Sequence, residues 1–153
     1  MKQLITATLL LMGSLFANAQ QAVRKAQFNI DKNAVAVNGY DVVAYFNQGK
    51  AIKGDKKFSA SAEGVVYYFS NNDNKELFLK DWKKYEPQYG GWCAYAMGAK
   101  GEKVEIDPET FKIVNGKLYL FYHSWVNNTL TKWNNDETNL KTKADKNWVN
   151  IFK

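Results

Sequence analysis

The sequence predicts a small single-domain α+β protein, with two β-hairpins forming an antiparallel sheet packed by several helices. Three observations predict it. Val65-Val66-Tyr67-Tyr68-Phe69 is a β-branched and aromatic run that follows a Glu63-Gly64 turn. Asn115-Gly116 divides two further strand-like runs and is a strong two-residue hairpin signal. Leu77, Phe78 and Trp82, and later Leu140, Ala144 and Trp148, recur at helical spacing. Hairpins and helices alternate without an internal repeat, which suits helices packed on antiparallel strands.

The elements follow in order. Residues 20–33 form a polar lead-in; Gln20–Gln27 is expected to be poorly ordered, and Phe28-Asn29-Ile30 can start a first short strand. The apolar segment from Ala34 to Phe46 is broken at Asn38-Gly39, where Gly39 takes a backbone angle other residues avoid. Asp41, between Tyr40 and an apolar run, is expected to accept backbone hydrogen bonds in a turn. Lys57–Ala62 and Val65–Phe69 make the first hairpin. Ser70-Asn71-Asn72-Asp73 suits a helix cap, and the spacing predicts a helix over 73–83, ended by Glu86-Pro87. Gly90-Gly91 leads a second helix through Trp92–Ala99. In the second hairpin the turn fixes the register: Ile113 faces Leu118 and Phe111 faces Leu120 on one apolar face, with Lys112 opposite Tyr119 on the other. The tail holds a helix with Trp125, Leu130 and Trp133, then one with Leu140, Ala144 and Trp148.

Lys2, an apolar run from Leu4 to Phe16, and Ala17-Asn18-Ala19 read as a signal peptide over 1–19, cleaved between Ala19 and Gln20. The run is too short to span a bilayer, which takes about 20 residues. The expectation is an exported protein, periplasmic or extracellular, without integral membrane association after signal removal. The net charge is +6, but the lysines are scattered rather than clustered with stacking aromatics. That argues against a nucleic-acid partner. One cysteine forbids an internal disulfide, so packing must hold the fold, and 9 Phe, 9 Tyr and 5 Trp can supply it.

Several motifs carry a resemblance. The runs NGYDVVAYF, GVVYYFSN, KYEPQYGGWCAYAM, DPETFKIVNGKLYL and ADKNW stand in this order between Ala34 and Trp148. Together they resemble the exported, longer form of the YHS-domain family, with a YHS-like domain over 34–153. The resemblance implies an α+β fold. Short members often carry two cysteines and are suspected metal binders. Here Ser70 stands where a short member has a thiol, and the early cysteine is missing. Cys93 belongs to the longer form's own GGWCAY motif. Val42 departs from the proline common in that form. The literal Tyr122-His123-Ser124 lies downstream of the family's motif and reads as a coincidence.

The candidate site is Cys93 with Met97 and His123. A thiol in the first turn of a helix meets unpaired amides that favour an anion. Met97, four residues on, would share its helix face. Two sulfurs and an imidazole suit Cu(I) or another soft metal ion. The alternative is plain: cores use Cys and Met freely, and glycines let a helix pack closely on strands. His123 falls by register with Tyr119 and Phe121, at a strand end. A thiol enzyme would need His123 as its base. The aromatics Tyr67, Tyr68, Tyr85, Tyr89, Trp92 and Tyr95 could line a small-ligand pocket or simply fill the core. The functional expectation is a soft-metal binding module. The alternative is a non-catalytic interaction or small-ligand-binding domain with a structural cysteine. The partner is then a metal ion, a small ligand or another protein.

Overall fold

The structure is a computed structural model that describes residues 19–153. The predicted signal segment lies outside the described residues, apart from Ala19, which with Gln20 is exposed at the described start of a helix. That helix, α1 (residues 19–27), corrects the expectation of a poorly ordered lead-in. It is held from its side: the Arg24 guanidinium lies over the rings of Phe28 and Trp82 and pairs with Glu86. A cation between aromatic faces and a carboxylate gains from both.

The remaining helices are α2 (Val42–Asn47), α3 (Asn72–Lys80), α4 (Trp82–Tyr85), α5 (Ala94–Lys100), α6 (Thr129–Asn135) and α7 (Glu137–Ile151). The strands are β1 (Asp55–Ala62), β2 (Val65–Phe69), β3 (Asp107–Val114), β4 (Lys117–Phe121), β5 (His123–Ser124) and β6 (Asn127–Asn128). The class is α+β, as predicted. The hairpins do not join into one sheet, however. Among the described residues the strands form three separate two-stranded ribbons, and single bridges such as Val35 to Val66 and Pro87 to Leu118 tie loops to them.

Turn chemistry places the hairpins. Glu63 and Gly64 both take positive φ, as do Asn115 and Gly116, which matches the right-handed twist of the strands. Ile113 faces Leu118, Phe111 faces Leu120 and Lys112 faces Tyr119, in the predicted register. The helix expected over 73–83 breaks at Asp81, whose backbone is not helical. Asn71 caps α3 by accepting from the Asn74 amide at 2.8 Å. Phe28-Asn29-Ile30 contributes one bridge, Ile30 to Ala36, rather than a strand. Trp125 is not in a tail helix; it stands on the tip between β5 and β6.

The core is built in two halves about β4. Leu118 and Leu120 turn into one half with Tyr45, Phe69, Phe78 and Cys93. Tyr119 and Phe121 turn into the other with Tyr89, Met97, Trp133, Leu140 and Ala144. A strand's side chains alternate between faces, so one central strand serves both. α5 lies lengthwise on α7, and a Cβ on Gly98 would stand 2.4 Å from the Leu140 carbonyl oxygen. Among the described residues no helix is long and apolar enough to cross a membrane.

Candidate functional site

The segment leading to Cys93 is set by backbone conformation. Tyr89, Gly90 and Gly91 all take positive φ in a tight turn over Gln88–Gly91. Gly90 and Gly91 thus have the conformational role that two consecutive glycines suggest. A Cβ on Gly90 would also stand 2.7 Å from the Trp148 ring. Trp92 and Cys93 follow as extended chain, and α5 starts only at Ala94. Cys93 is therefore the residue before the helix, not a member of its first turn, and its side chain makes no capping bond.

The thiol is buried, with no exposed surface. Its sulfur accepts the Tyr122 amide at 3.3 Å and lies 3.4 Å from Thr129 Oγ1. The Thr129 hydroxyl donates to the Tyr122 carbonyl at 2.7 Å. With that proton committed, the thiol donates to Thr129 and the three groups close a ring. Tyr122 is the residue between β4 and β5, so its amide lies outside both ladders. Cys93 supplies the acceptor for that half-buried amide. The main-chain amide of Cys93 donates to Val104 at 3.0 Å, which fixes the same point from the other side.

The three residues proposed for a soft metal are not gathered round one ion. Met97 is buried in the other half of the core, among Trp133, Tyr119 and Phe121. The i to i+4 argument placed both sulfurs on one helix face, but the extended backbone of Cys93, with ψ 115°, takes it off that face. His123 is exposed, and its Nδ1 lies 3.3 Å from Asp107 Oδ2. The chain's one imidazole is thus directed at a carboxylate on β3 rather than at the thiol. No cluster of three or more His, Cys, Asp or Glu is placed to hold a metal among the described residues.

The structure places a cleft of about 190 Å³ over Cys93. Tyr95, Ala96, Val104 and Tyr122 give it apolar walls, Thr129 and Asn127 add polar groups, and Lys100 and Glu102 stand at its edge. Asn127 Oδ1 is buried and has no hydrogen-bond partner among the described residues. Of the aromatics singled out in the sequence, Tyr95 lines this cleft, while Tyr67, Tyr85 and Tyr89 are core residues. Burial raises the Tyr67 and Tyr89 phenols above their ordinary value, with Glu86 and Asp145 adding to it. They act as neutral hydrogen-bond donors.

Among the described residues Asp41 accepts the most hydrogen bonds of any side chain. Its carboxylate, buried to 0 % exposure, accepts Val43 and Ala44 amides at 2.9 and 3.2 Å through Oδ1. Through Oδ2 it accepts the Ser70 amide, the Ser70 hydroxyl and Asn74 Nδ2 at 2.8, 2.7 and 2.7 Å. It caps α2 and ties it to β2 and α3. Ser70 is thereby a donor to a carboxylate. Gly39 and Tyr40 complete this corner: Gly39 has φ +76°, and the Tyr40 ring carries Lys53 at 4.7 Å.

Sequence reasoning missed Asn127, Thr129 and Val104, which make the cleft with Cys93. Asn127 and Thr129 sit in an unremarkable polar run, and no short-range pattern announces a contact across such separations. No protein-family model, curated protein or solved structure matches the chain.

Proposed function

We propose that the protein is an exported, YHS-like binding domain that takes a small ligand in the cleft over Cys93. Cys93 is then a structural part of the cleft floor rather than a nucleophile or metal ligand. One observation carries this reading: a cleft of about 190 Å³ with mainly apolar walls lies over Cys93. A 150 Å³ apolar cavity accepts benzene, so this cleft of about 190 Å³ suits a small ring compound. Binding rather than catalysis fits the thiol's surroundings, since its polar neighbours are a hydroxyl and a main-chain amide.

Benzyl alcohol and phenol are suitable probes. Titrated into ¹⁵N-labelled protein, they should shift the amide signals of Ala96, Val104 and Asn127 together and saturably. Ala99→Trp, which narrows the cleft from its exposed rim, should abolish those shifts. Shifts scattered over the surface, or unchanged in Ala99→Trp, would remove the cleft as a binding site.

A further inference from the structure

Cleavage between Ala19 and Gln20, which the Ala17-Asn18-Ala19 pattern implies, would leave glutamine as the first residue of the exported chain. A terminal glutamine carries its own electrophile. Its α-amine and its side-chain carboxamide are spaced to close a five-membered ring. Ala19 and Gln20 are both exposed at the described start of α1, so the new terminus is open to solvent.

The surroundings disfavour a charged amine at this point. The first amides of a helix lack partners within it and give that end a partial positive charge. Arg24 and Lys25 follow about one turn later. Gln20 borders a shallow hollow of about 150 Å³ with Val23, Arg24, Phe28, Glu63 and Phe152. Glu63, the acid there, already faces the Arg24 guanidinium at 3.6 Å. A terminal ammonium would thus add a further cation at the positive end of a helix. An uncharged ring suits the apolar side of the hollow, where Val23 and Phe152 remain exposed.

Resting on the reading of an exported chain that begins at Gln20, we propose that Gln20 is a modification site: it closes to an N-terminal pyroglutamate, and the closed ring steadies the start of α1. The neutral α-amine nitrogen attacks Cδ of the Gln20 carboxamide. The nitrogen–Cδ bond forms and the bond from Cδ to the carboxamide nitrogen breaks. That nitrogen leaves as ammonia, taking a proton from the amine. No electrons pass to or from another molecule, and no second reactant is needed. An ordinary α-amine titrates at about 7.7–8.0, so at neutral pH a share of it is in the attacking form. The Gln20 main-chain carbonyl, which the next turn of α1 uses, takes no part.

The full chain, expressed in a secreting host and recovered after export, tests this. Primary amines are dimethylated on the intact protein before digestion, so that ring closure during handling is not counted. The first tryptic peptide, Gln20–Arg24, should carry no dimethyl group and be lighter than its free-amine form by one ammonia. Where part of the sample still has a free amine, the synthetic Gln20–Arg24 peptide serves as a clock, and the protein should close at least as fast. Gln20→Asn, whose shorter side chain would need a four-membered ring, should keep a dimethylated amine throughout. Closure should slow hydrogen exchange of the α1 amides roughly two- to fivefold, the effect of removing one charge from a helix end. A chain that starts at Gln20 and stays free after the peptide has closed overturns the modification. Loss of ammonia from the Gln20→Asn terminus overturns the assigned chemistry, and equal exchange in the closed and open forms overturns the role in α1. A first residue other than Gln20 defeats the cleavage position and the proposal with it, and leaves the cleft over Cys93 to its own titration.

Discussion

Removing the Asp41 carboxylate should be among the most damaging single changes in this domain. Asp41→Ala deletes the acceptor for five hydrogen bonds inside the protein. Loss of the α2 cap costs about 1 kcal/mol. The Ser70 amide and the Asn74 side-chain amide are left as buried donors, at roughly 1–3 kcal/mol each. The Ser70 hydroxyl can rotate, so it adds little. The total is about 4 kcal/mol, a large share of the roughly 5–15 kcal/mol that holds a domain together. Asp41→Asn keeps the carbonyl oxygen that caps α2 but points an NH₂ group at three donors. The Asn74 amide can turn round; the Ser70 main-chain amide cannot. A cost of about 2 kcal/mol follows from one stranded backbone donor and the lost charge. Urea unfolding followed by far-UV circular dichroism measures both. With a slope of about 2 kcal/mol/M, the midpoint should fall by about 2 M for Asp41→Ala and about 1 M for Asp41→Asn. An Asp41→Ala midpoint within about 0.5 M of wild type would refute the assignment of this carboxylate as a structural hub.

Gly98→Ala should destabilise by about 1–3 kcal/mol although alanine is the better helix former, because its methyl would meet the α7 backbone at Leu140; unchanged thermal stability would show that the two helices can part without cost. Native Cys93, with no exposed surface, should react with a thiol reagent only as fast as the domain opens. Cys93→Ser should be better tolerated than Cys93→Ala, which strands the Tyr122 amide; labelling at the rate of a free thiol would contradict the burial, and equal urea midpoints of the two variants would contradict the ranking. Burial raises the Glu86 carboxyl above its ordinary value of 4.5, with Arg24 and the Tyr67 hydroxyl opposing that rise. The native state therefore holds this proton more tightly than the unfolded chain, and the Glu86 contribution to stability falls as pH rises from 4.5 to the raised value. Comparing urea midpoints of wild type and Glu86→Gln across that window should show the downward slope lost in the variant; parallel curves would count against it.

What the sequence determined by itself is local. The turns at Glu63-Gly64 and Asn115-Gly116, a helix cap within Ser70–Asp73, the backbone amides that Asp41 accepts and the spacing of Leu140, Ala144 and Trp148 are each decided within a few residues. Backbone angles and neighbouring side chains suffice there, so the α+β class and the register of β3 with β4 were legible. Distant contacts decided the rest. The sulfur of Cys93 meets Tyr122 and Thr129, which lie 29 and 36 residues away, and that pairing turned a presumed helix-face thiol into a link between chain segments. The division of the core about β4 separated Met97 from Cys93, although four residues part them. Tyr119 and Phe121 face a second core because α6 and α7 cover that side of the ribbon, which alternation along one strand cannot reveal. Trp125 has the composition of a core residue and stands in solvent for the same reason. Which apolar residues are covered depends on how the elements pack, and the local pattern only restricts which faces are available.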